Sequence, residues 1–265
     1  MRFLPVLCIL AASAALAFDG TSLRIRPRGP AGPYTVAQWK IDWPGCEWED
    51  GVTEGRVSLV SRGDANVFRV AYATGQIGPD KGGVGWRFPV GRCEAAELSY
   101  TLRFSKDFDW VKGGKLPGLC GGPENVSGGK PANGANGFSA RLMWRADGRG
   151  EAYVYHKNQR TNYGDSFPFP AGFRFPTDTD IHLRMRVRMN APASRNGTLQ
   201  VWIVTGNPAS EQLVVNRTDL EWRTTDTFGI DGLYFDTFHG GDDSTWAPAR
   251  PCWAEFGQIT VTKQP

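Results

Sequence analysis

Apolar and polar residues alternate along several segments of the chain with the two-residue period of a β-strand. The clearest segments are 97–104, 138–144, 199–203 and 233–235. In each of them the apolar side chains lie on one face of the predicted strand and point away from the polar ones. Extended helical periodicity is missing, so the pattern predicts a protein built mainly from β-sheets.

A glycine-bearing turn at 146–150 separates two of these alternating segments and predicts an antiparallel hairpin. On its first strand, Ser139 and Arg141 point to the same side. On its second strand, Tyr153 and Tyr155 share a side. If the strands pair around the turn, a hydroxyl, a guanidinium group and two phenols converge on one patch.

Lys115 lies upstream in a segment rich in glycine and proline, 112–119, which we expect to hold it as a loop against this patch. The patch contains no central carboxylate, and the chain has no Glu-x-Asp element. Hydrolysis of a glycosidic bond normally needs two carboxyl groups. Elimination from a uronic acid instead needs a neutralised sugar carboxylate, a base and an acid. Arg141 suits the neutralisation of the carboxylate and the tyrosines suit the proton transfers, so the residues of this patch favour β-elimination.

A further strand, 182–189, carries basic residues on one face and apolar residues on the other. Two interpretations are open for the basic face. It is either a solvated outer surface with acidic partners, or a groove that receives a polyanion. The second interpretation makes Arg184 and Arg186 candidate substrate-binding residues.

Length and composition indicate one secreted domain. The first 17 residues read as a signal peptide, with a basic start, an apolar run and a small-residue cleavage site. Residues 18–265 are long enough for a single domain, and no linker divides them. The chain has 33 glycines, 18 prolines and 10 tryptophans, which suits many short strands joined by turns.

The net charge and the cysteines further restrict the class of protein. A net charge of +3 is too small to indicate nucleic acid binding. Four cysteines remain after the signal peptide: Cys46, Cys93, Cys120 and Cys252. In an oxidising compartment they predict two disulfides of unknown pairing, and their wide spacing argues against zinc. Sequons at Asn125, Asn196 and Asn216 predict glycosylated positions that face solvent.

Three stretches resemble the motifs of polysaccharide lyase family 14, which includes alginate lyases and glucuronan-degrading enzymes. The first is GGKLPGLCGG at 113–122. The second is FSARLMW at 138–144, followed by YVY at 153–155. The third is YFDTFHGGDDSTWAP at 234–248. The resemblance covers roughly residues 95–260 and keeps the order of the motifs.

The resemblance implies an all-β jelly roll of two antiparallel sheets with the substrate in a concave groove. Lys115, Ser139, Arg141, Tyr153 and Tyr155 match the family's functional positions. By this likeness, Lys115 and Arg141 would hold and neutralise the uronate, and the tyrosines would transfer the protons. Which tyrosine is the base and which the acid stays open.

Four more residues are candidates at this site. His239 and Trp246 are predicted to bind substrate. No cofactor is expected to be required, but a related glucuronan lyase family has been linked to calcium, and Asp242 and Asp243 are the candidate ligands if calcium takes part. They lack EF-hand spacing and are more typical of a turn.

The sequence therefore predicts a secreted lyase that cleaves a β-1,4-linked polyuronate, glucuronan or alginate, to 4,5-unsaturated products. The alternative is a non-catalytic, lectin-like jelly roll that binds carbohydrate, because a fold alone does not separate the two. The expected partner is an acidic polysaccharide, with neither nucleic acid nor membrane, and the expected state is a monomer.

Overall fold

The computed structural model describes residues 21–205 and 210–265. The predicted signal peptide lies outside the described residues. Within them, one α-helix, α1 (Val36–Asp42), and three short helical turns, at Gly78–Gly82, Ala146–Gly148 and Ser244–Trp246, accompany sixteen strands. In chain order the strands are β1 (Ser22–Ile25), β2 (Gly32–Pro33), β3 (Val57–Arg62), β4 (Ala65–Tyr72), β5 (Arg87–Cys93), β6 (Ala95–Phe104), β7 (Gly113–Gly121), β8 (Phe138–Arg145), β9 (Gly150–Tyr155), β10 (Asp165–Pro168), β11 (Ile181–Arg188), β12 (Gly197–Thr205), β13 (Ser210–Leu220), β14 (Ile230–Tyr234), β15 (Phe238–His239) and β16 (Cys252–Gln264).

The strands form two antiparallel sheets that pack face to face. The nine-stranded sheet has the order β13-β12-β11-β6-β16-β4-β3-β2, with β1 paired to β16. The seven-stranded sheet has the order β10-β9-β8-β7-β14-β5, with β15 paired to β7. The apolar faces of the two sheets form one core. This arrangement confirms the predicted β-jelly roll, in which two sheets bury their inner faces against each other.

The alternating segments of the sequence are strands in the structure. In β6 every second residue from Ala96 to Phe104 is buried, and β11 alternates in the same way. The predicted hairpin is β8 and β9, joined by a short 3₁₀ turn in which Asp147 has a φ of 61°. Buried alternate positions remove apolar surface from water, which is the main free-energy gain of a sandwich.

Aromatic side chains form a cluster in the core next to α1. Trp43, which follows α1, is fully buried and packs against Trp86 and Phe235, and the latter two rings stack with centroids 4.7 Å apart. The helix begins at a capping box formed by Thr35 and Gln38. A segment this short shows no helical periodicity in the sequence, and packing and this cap stabilise it.

The lysine-bearing segment is a central strand, and the prediction of a loop was wrong. β7 pairs with β8 on one side and with β14 and β15 on the other. A bulge opposite Arg141 accommodates Pro117, which has no N–H for the ladder. Gly118 permits the close approach there, because a Cβ would lie 2.0 Å from the carbonyl oxygen of Ala140. The extra residue lets Lys115 and Cys120, five positions apart, face the same side.

The four cysteines are free thiols in the structure, so the predicted disulfides are not formed. Cys120 faces outward from the seven-stranded sheet, whereas Cys252 belongs to the nine-stranded sheet. Cys93 donates to the carbonyl oxygen of Ile230 at 3.7 Å. An even count of cysteines carries no information about distance, and a disulfide needs Cβ atoms about 4 Å apart.

The three sequon asparagines are exposed, as predicted. Asn125 and Asn196 lie in loops and Asn216 lies in β13. Glycosylation at these positions stays a prediction. Across the described ranges, no helix combines the length and the apolar character needed to cross a membrane.

Candidate active site

A pocket of about 440 Å³ opens on the outward face of the seven-stranded sheet. Strand register builds its floor in rows across the sheet. One row contains Phe238, Lys115 and Met143. The next row places Arg141 opposite Tyr153, and the third places Ser139 opposite Tyr155. The sequence predicted that these last four side chains converge on one patch, and the structure adds which of them lie opposite each other.

Lys115 lies at the centre of the pocket floor. Its Nζ atom is 3.0 Å from Sδ of Met143 and 3.4 Å from the centroid of the Tyr153 ring. Burial lowers the pKa of this amine well below its usual value, and the nearby positive charges of Arg141 and Arg145 lower it further. A partly buried amine among guanidinium groups favours the neutral form, which has a free lone pair.

The two tyrosines form the next part of the floor. The ring centroids of Tyr153 and Tyr155 are 5.7 Å apart in an edge-on contact. Tyr153 Oη accepts a hydrogen bond from the backbone N–H of Gly164, and Tyr155 Oη accepts one from that of Gly129, each at 3.2 Å. Burial, and then the neighbouring Tyr155, raise the pKa of Tyr153 well above its usual value. Tyr153 therefore keeps its proton at neutral pH.

Arg141 lies beneath the pocket and not in it, which corrects the predicted bidentate contact with a sugar carboxylate. Its side chain is 1% exposed. Nη1 donates to Oδ2 of Asp236 at 2.7 Å, and Nη2 donates to Oγ of Ser127 at 2.6 Å. Both terminal nitrogens are thus engaged by the protein, while Nε has no partner among the described residues.

Ser139 is fully buried and likewise supports the site from below. Its Oγ donates to the carbonyl oxygen of Val126 at 2.7 Å. Val126 belongs to the segment 122–137, which also contacts Arg141 through Ser127 and Tyr155 through Gly129. This covering segment packs Val126 against Tyr155. Three of the five predicted site residues therefore anchor it.

Several pocket residues were not identified from the sequence. Met143 and Phe238 belong to the floor, and Arg145 and Tyr163 also line the pocket. Arg145 forms an ion pair with Glu151 at 2.7 Å. The alternation that placed Arg141 on the polar face also places Met143 and Arg145 there, and this signal was available. Tyr163 comes from a loop with no such pattern.

Trp246 lines the pocket, where the sequence predicted a substrate-binding residue. Its ring lies 5.7 Å from Nζ of Lys112 and 5.9 Å from Cζ of Arg145. Gly241 allows the loop to fold back on this ring, because a Cβ there would lie 2.1 Å from it. An aromatic face at the pocket rim can stack on the apolar face of a sugar.

His239 does not reach the pocket, which corrects its predicted role. β15 turns Phe238 outward and His239 into the core, where it is fully buried among Tyr72, Phe108 and Trp144. Its Nε2 lies 2.7 Å from the carbonyl oxygen of Asp109. Burial lowers the pKa of this imidazole, so it is neutral and structural.

Arg184 and Arg186 lie on the other sheet, and their predicted role in this groove was wrong. They project from the outer face of β11, in the nine-stranded sheet. Both donate to Glu97, and Arg184 also donates to Glu211 at 2.8 Å. The first of the two interpretations, a solvated face with acidic partners, is the one the structure has. Alternation shows which residues share a face, but not which sheet that face belongs to.

The two aspartates proposed for calcium have different surroundings. Asp242 lines the pocket rim. Asp243 caps a 3₁₀ turn by accepting from the backbone N–H of Thr245 at 2.8 Å. Across residues 21–205 and 210–265, no three His, Cys, Asp or Glu side chains group in the way that a metal site of protein ligands requires.

Comparison with known proteins places this pocket in a family. A model described as polysaccharide lyase 14 matches residues 61–259, which include every strand that contributes to the pocket. The chain belongs to the polysaccharide lyase 14 family. It is therefore a polysaccharide lyase, as the motifs predicted. Comparison with curated protein sequences gives no match.

Solved structures agree with this assignment. The lyase is 27% identical to alginate lyase Aly36B, with a TM-score of 0.78 over 92% of this chain and 97% of that one. It is 25% identical to the marine PL-14 alginate lyase of Aplysia kurodai, with a TM-score of 0.79 over 92% and 98%. An endo-β-1,4-glucuronan lyase from Trichoderma reesei is 11% identical with a TM-score of 0.56 over 89% and 96%, a likeness of fold alone.

Two further structures of Aly36B contain substrate fragments. A variant with a lysine and a methionine replaced by alanine holds an alginate trisaccharide. A variant with the same lysine and a tyrosine replaced holds an alginate tetrasaccharide.

Proposed function

We propose that this lyase cleaves alginate by β-elimination, with Lys115 as the base and Tyr153 as the acid. The observation that carries the proposal is the opposite shift of two neighbouring pKa values. The pKa of Lys115 is lowered and the pKa of Tyr153 is raised, although the amine lies 3.4 Å from the centroid of the phenol ring. A pair of titratable groups pushed apart in this way is the pattern of an acid and a base.

In the proposed reaction, the neutral amine of Lys115 takes the C5 proton of the uronate next to the scissile bond. The electron pair forms the C4–C5 double bond while the C4–O4 bond breaks. Tyr153 donates its proton to the departing O4. The products are a 4,5-unsaturated sugar at one new end and a free hydroxyl at the other. Solvent then carries the proton from the lysine ammonium to the phenolate.

Positive charge near the sugar carboxylate stabilises the carbanion that this step generates. Arg141 provides it from beneath the floor and Arg145 provides it from the wall, since both act on Lys115. Arg141 is held in place by Asp236, so its charge is fixed before substrate arrives. This role of Arg141 differs from the bidentate contact with the sugar carboxylate that the sequence predicted. The proposal also assigns Lys115 to proton transfer, whereas the sequence assigned it to charge neutralisation.

Two observations support alginate over glucuronan. The similar structures at 25% identity or more are alginate lyases, whereas the glucuronan lyase shares only the fold. In addition, the lysine and the methionine replaced in Aly36B lie 28 residues apart, the same separation as Lys115 and Met143. In this chain those two side chains touch at the pocket floor.

The test is a substrate panel followed by ultraviolet absorbance of the unsaturated product. Polymannuronate or polyguluronate is expected to produce absorbance, while glucuronan and pectate produce little. Absorbance from glucuronan alone would contradict the alginate assignment. Binding of every polymer without any absorbance would favour the lectin-like alternative, and new reducing ends without absorbance would indicate hydrolysis.

The acid limb of the profile of kcat/KM against pH provides another prediction. Lys115 acts as a base only when neutral, so kcat/KM is expected to be high above its lowered pKa and to fall as pH drops through it. Replacing Arg145 with methionine removes a nearby positive charge. The pKa of Lys115 should then rise, and the acid limb should move to higher pH.

Initial rates of product absorbance across pH measure this limb. Arg174→Met is the matched control, because Arg174 is exposed and donates only to nearby backbone carbonyls. Its profile should overlay that of the unmodified enzyme. A limb that stays in place or moves to lower pH in Arg145→Met would rule out Lys115 as the titrating base.

We also propose that the enzyme is secreted and works without a metal ion. The basic and apolar start of the sequence supports secretion. The use of Lys115 and tyrosines for proton transfer, with arginines for charge, supports metal independence. Activity that survives exhaustive chelation is the expected result, and recovery only on adding calcium would overturn this part of the proposal.

A further inference from the structure

A second groove runs along the outward face of the nine-stranded sheet, on the opposite side of the sandwich from the pocket. Its volume is about 1020 Å³. β1 contributes one wall and the β3–β4 hairpin contributes another, while β16 crosses the floor. Leu23 and Ile25 of β1 face the core, so Arg24 between them points outward.

The groove is mostly polar, although Ile25, Pro27 and Ile259 and the carboxylate of Asp64 also line it. Its floor and walls carry hydroxyl groups, from Ser61, Ser99, Thr260 and Thr262 among others. At a bulge in β16, Gln258 adopts a φ of 50°, in the left-handed region, and its exposed side chain lies in the groove. Bulges of this kind often direct a side chain towards a binding site. Hydroxyls and amides are the groups that bind the hydroxyls of a sugar chain.

Two arginines in this groove differ from the other arginines of the same sheet face. The side chains of Arg24 and Arg26 are exposed and have neither an ion pair nor a hydrogen bond within the described ranges. By contrast, Arg62 and Arg69 share Glu255. The remaining arginines with carboxylate partners on that face are Arg103, which pairs with Asp178 and Asp180, and Arg184 and Arg186, which pair with Glu97.

The two arginines next to Lys115 each have a carboxylate partner, so their charges act locally on the bound sugar more than on a distant polymer. Arg141 faces Asp236 and Arg145 faces Glu151, while burial and the neighbouring arginines lower the pKa of Lys115 and so disfavour its charged form. The pocket is therefore suited to the chemistry of one sugar more than to the capture of a long polyanion. Uncompensated guanidinium groups elsewhere on the surface would provide that capture.

We propose that the groove at Arg24 and Arg26 is a second, non-catalytic binding site for a polyuronate chain. This inference rests on the proposed function, because it takes an acidic polysaccharide as the substrate. The two guanidinium groups pair with successive carboxylates of the chain, and the groove's hydroxyls and amides contact the sugar hydroxyls. A polymer long enough to reach both faces gains affinity through effective concentration, whereas a short oligosaccharide does not.

The experiment compares binding by a silenced enzyme, Lys115→Met, with and without Arg24→Ser/Arg26→Ser. Titration calorimetry with alginate polymer is expected to show an affinity loss of about tenfold on removing the two arginines. Affinity for an alginate tetrasaccharide, which occupies the pocket, should stay the same. The loss should also shrink at high salt, because salt screens exposed charges.

The matched control is Arg174→Ser/Arg195→Ser in the same background, which removes two exposed positive charges outside the groove. It should bind polymer like the parent. Equal polymer affinity in the groove variant and this control would overturn the second site. An equal loss of polyglutamate binding would also overturn it, by showing a charge patch without sugar recognition. If the enzyme yields no unsaturated product but the groove variant still loses alginate affinity, the proposed function fails and the second site remains.

Discussion

Lys115→Met is expected to lower kcat on alginate by roughly 10²- to 10⁴-fold, the contribution typical of a positioned general base. Methionine keeps the length of the side chain and its contact with Met143 but cannot accept a proton. The loss should appear in kcat more than in KM, since pocket walls such as Trp246 remain. Stopped assays of product absorbance at saturating alginate would measure it.

Lys106→Met is the matched control for this variant, because Lys106 is an exposed lysine in the β6–β7 connection. Its kcat should equal that of the unmodified enzyme. Thermal unfolding of Lys115→Met should stay cooperative, which separates a lost base from a lost fold. A Lys115→Met enzyme with near-normal kcat would show that another group takes the C5 proton.

Asp236→Ala is expected to destabilise the protein by about 3–5 kcal/mol, because it leaves Arg141 buried without a counter-charge. The two groups are 1% and 9% exposed and 2.7 Å apart. Solvent cannot stabilise the unpaired guanidinium at this depth, so the loss of stability should exceed that from breaking any surface ion pair. Urea unfolding, followed by tryptophan fluorescence, would give the free energy of unfolding.

Two further variants make the Asp236→Ala prediction specific. Asp219→Ala breaks an exposed pair with Arg217 and should cost under about 1 kcal/mol. Replacing both buried partners, as Arg141→Met/Asp236→Leu, should recover much of the stability while activity stays low, because the positive charge beneath Lys115 is gone. A cost below about 1 kcal/mol for Asp236→Ala would mean that Arg141 finds another partner or reaches solvent.

Alternation along β8 and β9 was sufficient to predict that four site residues share one face of the hairpin. Ser139 and Tyr155 are opposite each other, as are Arg141 and Tyr153. This succeeded because the side chains of a strand alternate strictly and a hairpin fixes the register of its two strands. The same reasoning held for the core faces of β6 and β11.

The depth of each residue did not follow from that pattern. Arg141 and Ser139 were predicted in an open groove, yet the covering segment 122–137 lies over both. Asp236, the partner of Arg141, is 95 residues away along the chain. A long-range pairing of this kind depends on how β14 and the residues after it cross β7, and local sequence carries no record of that.

From its sequence alone, this protein's class was determined: a mainly β chain whose motifs resemble a lyase and whose polar groups suit elimination better than hydrolysis. These properties are local, since strand periodicity and residue chemistry are set by neighbours in the chain. Only the tertiary structure decided that Lys115 is a partly buried amine with a lowered pKa, that His239 belongs to the core, and that Arg184 and Arg186 lie on the far sheet. Burial and electrostatic surroundings depend on segments brought together from across the chain, because desolvation and charge act through space and not along the sequence.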